Sequence, residues 1–184
     1  CDTSHLMRAV MPEPSLPILY SLRNCPFAMR ARMAIFYAQQ AVILRDVVFS
    51  NKPKAMLSAS PKGTVPVLVL ADEQESVLEE SLDIMLWALQ KSDPDDLLHQ
   101  NTPEGLNVIL ELITIFDHDF KTCLERYKCA KRYHEANLIE CRERCEVHIK
   151  TLENLLSNQQ FLMSSKLSLA DIALLPFIRQ FARV

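Results

Sequence analysis

The sequence predicts an α/β half followed by an all-helical half. Three observations carry that reading. Short apolar, β-branched runs alternate with helical periodicity from Pro17 to Gln90. Beyond Pro103 the strand-like runs stop, and only long helical patterns remain. The chain also has just two glycines against ten prolines, as expected of helices with proline-marked boundaries.

Pro17–Ser21 reads as a short buried strand. From Pro26 to Gln39 the apolar residues Phe27, Ala31, Ala34, Ile35 and Ala38 recur at helical spacing. Val42–Phe49 is β-branched and apolar, hence a second strand. Lys52–Ser60 is expected as a short helix, Val65–Ala71 and Ser76–Leu78 as strands, and Ser81–Gln90 as a helix. The order β-α-β-α-β-β-α gives a parallel β-α-β unit, then a hairpin and a helix, and so a small mixed sheet. The stretch Ser92-Asp93-Pro94-Asp95-Asp96 marks a boundary. Residues 14–92 are thus expected as the first domain, 93–103 as a linker and 104–184 as the helical domain. Within the latter, Glu104–Tyr127 and Tyr133–Ser157 are expected as helices. A third opens at Leu167, with Ser168 and Asp171 as capping pair and Leu167 and Ile172 as hydrophobic staple.

The chain has 184 residues, of which 49% are hydrophobic and 23% charged, with a formal net charge of −3. That balance gives no electrostatic reason for a nucleic-acid or anionic-membrane partner. The longest apolar runs, such as Val65–Ala71, are too short to span a bilayer. Cys1–Leu6 reads as a remnant or tag, with Met7 or Met11 as the native start, and nothing there has the form of a secretory signal. Six cysteines without tight pairing motifs point to a reducing, cytoplasmic location.

The chemistry centres on Arg23-Asn24-Cys25-Pro26-Phe27. A strand ends in a turn that carries Cys25, and a Cys-Pro step opens the next helix. A thiol there meets the positive end of the helix dipole and free backbone N–H groups, and both favour thiolate. Cys25 is therefore the candidate nucleophile for thiol–disulfide chemistry. The plainer alternative is a buried small hydrophobe. Position 28 is Ala, which excludes a dithiol mechanism within this motif. Cys141, Cys145 and His148 follow at spacings of four and three along one helix face. They read as a buried helix face and not as a metal site, because no fourth ligand with zinc-like spacing accompanies them. His118 is expected at the surface.

Four ordered motifs resemble the cytosolic glutathione transferases, and among them the cysteine-type, omega-like group. They are Asn24-Cys25-Pro26-Phe27-Ala28-Met29-Arg30, Asn51-Lys52-Pro53, Gly63-Thr64-Val65-Pro66-Val67-Leu68 and Glu79-Glu80-Ser81. The Ser168–Asp171 cap is similar to the family's helical-domain cap. The resemblance covers Leu16 to Val184 and implies a thioredoxin-like first domain with a glutathione site, then a helical bundle. It implies that Cys25 faces the glutathione sulfur. Val65, before a cis-Pro66, would pair backbone to backbone with the cysteinyl part. Lys52 would reach the glycyl carboxylate, and Glu80 and Ser81 would hold the γ-glutamyl end. Read without the resemblance, Lys52 is rather a solvated lysine, and Glu80-Ser81 rather an N-cap with an acidic first turn. Arg23 is a candidate for the site rim, while Arg30 and Arg32 face either the site or solvent.

The function expected is a glutathione-dependent thiol transferase or reductase that works through a glutathione mixed disulfide on Cys25. Its partners would be glutathione, as co-substrate, and a small disulfide or electrophile, with no metal. The resemblance also implies a homodimer. The alternative is a non-catalytic binding or regulatory module on the same fold. Conjugation to electrophiles is expected to be weak, because a cysteine holds the place of the usual hydroxyl donor. Members of the family usually continue beyond the capped helix, so the helical domain is expected to be incomplete.

Overall fold

The computed structural model describes residues 15–102 and 104–184. The expectations for Cys1–Leu6, Met7, Met11, residue 14 and Pro103 lie outside them.

Four strands form one sheet in the order β2-β1-β3-β4. They are β1 (Ile18–Ser21), β2 (Ile43–Asp46), β3 (Val67–Val69) and β4 (Val77–Leu78). The first half also holds the helices α1 (Pro26–Tyr37), α2 (Lys54–Ala59) and α3 (Ser81–Lys91). β1 runs parallel to β2, with Ile18 opposite Ile43. It runs antiparallel to β3, with Tyr20 opposite Val67, and β3 pairs antiparallel with β4, Leu68 opposite Leu78.

Strand alternation sends neighbouring residues to opposite faces. Leu19 and Leu68 enter the main core with Ala31, Ala34, Ile84 and Met85 from α1 and α3. Tyr20 and Val67 turn to the other face and pack with Val47, Met56 and Val65. β2 is shorter than the expected Val42–Phe49 and all four of its residues are exposed. It is an edge strand. After Asp46 the chain turns Val47 into the second core, and Val48 bridges back to Asn51.

The second half contains α4 (Gly105–Ile115), α5 (Lys121–Tyr133), α6 (Leu138–Leu156) and α7 (Leu169–Ala182). A π turn at Phe116–Phe120 joins α4 to α5 without a break. The expected helix end at Tyr127 and start at Tyr133 are both displaced. α5 runs through Tyr133 and stops where His134 adopts left-handed backbone, φ 55°. Ser168 and Asp171 form the expected capping box at the start of α7. The Asp171 carboxylate accepts from Ser168 N at 2.8 Å and from Ser168 Oγ at 2.6 Å, and its other oxygen accepts from Leu162 N at 2.9 Å.

The halves share one core. α1 packs on both α3 and α7. Leu97 and Leu98, between the halves, are buried, and Leu169 N donates to Leu97 O at 2.8 Å. Cys141 and Cys145 are buried on α6, and the His148 ring stands edge-on to Phe116 and Phe120 at 5.8 and 5.9 Å. His118 is exposed. Among the described residues no cluster of His, Cys, Asp or Glu is arranged to hold a metal ion. Among the same residues no helix is long and apolar enough to cross a membrane.

Candidate functional site

The sheet topology brings the four sequence motifs to one end of the sheet. β1 and β2 are parallel, so the segments that leave their C-terminal ends, Leu22–Cys25 and Val47–Pro53, emerge side by side. β3 is antiparallel to β1, so its entrance, Val65-Pro66, lies at that same end. β4 reverses again, which returns Glu79, Glu80 and Ser81 to it.

Cys25 is the N-cap of α1, with Pro26 as first helical residue. Proline fits there because that position has no intrahelical N–H partner to lose. The Cys25 thiol is half-buried and donates to the Val65 carbonyl at 3.7 Å. The Val65–Pro66 peptide bond is cis. Both Val65 and Pro66 are buried.

Lys52 is half-buried. Its Nζ lies 5.3 Å from the centre of the Phe49 ring and against Gly63, two residues before Val65. Glu80 is the N-cap of α3 and is exposed. Its carboxylate takes a 2.8 Å ion pair from Lys62, a residue the sequence did not single out. This hydrogen bond is the main cause that raises Lys62 above the ordinary lysine value. Ser60 Oγ donates to the neighbouring Glu79 and holds that carboxyl below its ordinary value.

Ser81 is buried, and its hydroxyl accepts a 2.9 Å hydrogen bond from Arg30 Nε. Arg30 faces neither cleft nor solvent. It is buried and forms a bidentate pair with Asp117 of the π turn, at 2.7 and 2.8 Å. Arg32 donates to Ser21 Oγ, to Leu22 O at 3.1 Å and to Arg23 O at 2.9 Å, and so clamps the turn that carries Cys25. Burial lowers the Arg32 guanidinium from its ordinary value, while Cys25 and Asp46 act to raise it. Arg23 is exposed.

Cys25 opens on a cleft of about 300 Å³ between the two halves. Phe27, Phe49 and Phe177 give it apolar walls, and α5 adds Lys121, Glu125 and Lys128. These α5 residues carry no motif. Their one sequence signal is charge at helical spacing, which also describes any solvated helix face.

Comparison with known proteins gives a match for each half. Residues 19–96 match the family model for the glutathione S-transferase N-terminal domain. Residues 112–184 match the model for the C-terminal domain. Pyrimidodiazepine synthase of Drosophila melanogaster is 36% identical over 73 residues, 39% of this chain and 30% of that protein. The match thus spans under a third of that relative's length. The crystal structure of glutathione transferase Omega 3C from Trametes versicolor superposes with a TM-score of 0.76 at 20% identity, over 90% of this chain and 69% of that one. A glutathione transferase family member from Pseudomonas fluorescens, crystallised with two glutathione bound, gives 0.78 at 19% identity, over 94% and 79%. Both domains of one family match, in order, on a mixed four-stranded sheet followed by a helical half, and the chain belongs to the glutathione S-transferase family.

Proposed function

We propose that this protein is a cysteine-type, omega-like glutathione transferase that acts as a thiol transferase or reductase through Cys25. The observation that carries the reading is the 3.7 Å contact between the Cys25 sulfur and the Val65 carbonyl. A tripeptide held backbone to backbone on Val65 sets its own sulfur beside that of Cys25. Binding then does the work of orientation, which is worth far more than any gain in intrinsic reactivity.

The residues at this end of the sheet fit such a ligand. The Lys52 ammonium suits the glycyl carboxylate. Glu80 suits the γ-glutamyl ammonium and exchanges its Lys62 partner for it. Ser81, at the first position of α3, suits the γ-glutamyl carboxylate, which the helix N-terminus also favours. Pro66 fixes the approach to β3.

Cys25 attacks, as thiolate, the glutathionyl sulfur of a mixed disulfide R–S–S–G. The S–S bond of that disulfide breaks, R–S⁻ leaves and takes a proton from water, and a new S–S bond joins Cys25 to the glutathionyl sulfur. Cys25 is released as thiolate when a second glutathione thiolate attacks that same glutathionyl sulfur, and oxidised glutathione departs. Over the cycle one glutathione thiol is consumed, R–SH is released, and the two glutathionyl sulfurs leave joined as oxidised glutathione. The thiol side of the exchange is faster when the leaving sulfur is a stable anion, and the start of α1 favours that. Ala28 is fully buried where a resolving thiol would stand, so an external thiol completes each cycle.

The same reading assigns residues 14–92 as the glutathione-binding domain, 93–103 as the linker and 104–184 as the helical domain. It places the protein in the cytoplasm as a homodimer. The test is Cys25→Ser assayed with glutathione and 2-hydroxyethyl disulfide. Loss of nearly all turnover with an unchanged melting temperature supports the reading. Turnover retained in that variant removes it.

A further inference from the structure

We propose that Lys121 makes the cleft at Cys25 selective for second substrates that carry an anionic group next to the reacting sulfur. The proposal rests on Cys25 being the thiol that reacts in this cleft. Its own support lies on the opposite wall, in α5.

Three ionisable side chains of α5 line the cleft: Lys121, Glu125 and Lys128. Lys128 pairs with Glu125 at 2.9 Å, so those two charges cancel locally. Among the described residues Lys121 makes no ion pair. Its ammonium instead lies 4.8 Å from the centre of the Phe27 ring, two residues from the thiol. Lys121 is half-buried, and the Phe27 and Phe177 rings line the same cleft. An aromatic face holds a cation in place without neutralising it. Of the arginines near Cys25, Arg32 is spent on Ser21, Leu22 and Arg23 behind the turn, Arg30 is paired with Asp117, and the exposed Arg23 does not line the cleft. The cleft therefore keeps one uncompensated positive charge within reach of a group attached to the attacked sulfur. A carboxylate there gains a Coulombic contact that is stronger between low-dielectric walls than in water. A neutral substrate gains nothing from it, and a cationic one is repelled.

The test reads the charge at the cysteine directly. The intact protein is alkylated with iodoacetate, which is anionic, and in parallel with iodoacetamide, which is neutral and delivers a group of nearly the same size. Adducts on the Cys25 peptide are counted by mass spectrometry, which separates them from those on the other thiols. In the unmodified protein the iodoacetate-to-iodoacetamide rate ratio should exceed that of free glutathione. Lys121→Gln should lower the ratio about fivefold, the effect of one partly screened unit charge at this range. Lys121→Glu should lower it further, and Lys121→Arg should keep it. A ratio in Lys121→Gln equal to that of the unmodified protein overturns the proposal. So does a fall matched by Lys121→Arg, since loss of the lysine's shape and not of its charge would then be responsible. The readout needs no turnover. A Cys25→Ser variant that keeps disulfide reductase activity defeats the reading of the enzyme, whereas an indifferent alkylation ratio defeats only the assignment of Lys121.

Discussion

Asp117→Ala should be among the most damaging single changes outside the cleft. Asp117 accepts two hydrogen bonds from Arg30, at 2.7 and 2.8 Å, across 87 positions of sequence. The Arg30 side chain is 3% exposed and that of Asp117 20%. Removal of one member of a buried pair typically costs ~3–5 kcal/mol, because the other is left charged and undersolvated. Here Asp117 faces water in part, and water can enter the space it vacates. The Arg30 guanidinium also keeps Ser81 Oγ and lies 5.2 and 5.3 Å from the Phe27 and Phe177 ring centres. These contacts reduce the expected loss to roughly 2–3 kcal/mol. For a chain of this size the melting temperature should fall by roughly 5–10 °C. Thermal melts and urea titrations followed by circular dichroism measure it. A second variant, Arg30→Met with Asp117→Leu, removes both charges and should recover most of the loss. If Asp117→Ala melts within a degree of the unmodified protein, the pair does not join the halves energetically and the reasoning is wrong.

Two further outcomes can be checked. Gly63 has φ +63°, and a Cβ there would lie 3.1 Å from Lys52 Nζ and 3.3 Å from Leu57 Cδ2. Gly63→Ala should cost ~1–2 kcal/mol in urea unfolding and raise the KM for glutathione by moving Lys52; unchanged values of both would refute it. Burial, with help from the thiols of Cys123 and Cys141, pushes Cys145 up to about 11 from 9.0. The folded chain thus keeps a proton that the unfolded chain loses first. That contribution to stability is complete below about pH 9 and declines as pH rises towards about 11. Cys145→Ala should flatten the decline in melts over that window, and an identical slope would contradict the account.

Local chemistry made much of this fold legible in the sequence. The strand–turn–helix at Cys25, the apolar periodicity of α1 and the Ser168–Asp171 cap each depend on residues close in sequence. β2 was read too long because β-branched residues signal a strand wherever one face is buried, and here the face turns at Val47. The end of α5 was misplaced because His134 stops it in left-handed backbone without a glycine or proline to announce the stop. Arg30 was not assignable at all. An arginine in a helix is ordinarily solvated, and only the π turn that delivers Asp117 decides otherwise. Lys121 is invisible for the same reason, since its position opposite Cys25 arises only when α5 docks on the sheet end.

Arg30 also anchors a single hydroxyl. A serine oxygen offers two lone pairs and one hydrogen. Through Nε, Arg30 occupies a lone pair of Ser81 and leaves the hydrogen to be given away. The hydroxyl at the first turn of α3 thus keeps its hydrogen for another partner while its oxygen is held in place. A residue of the helical half, Asp117, steadies that guanidinium. The first turn of α3 is therefore tied, through one guanidinium, to the far half of the molecule.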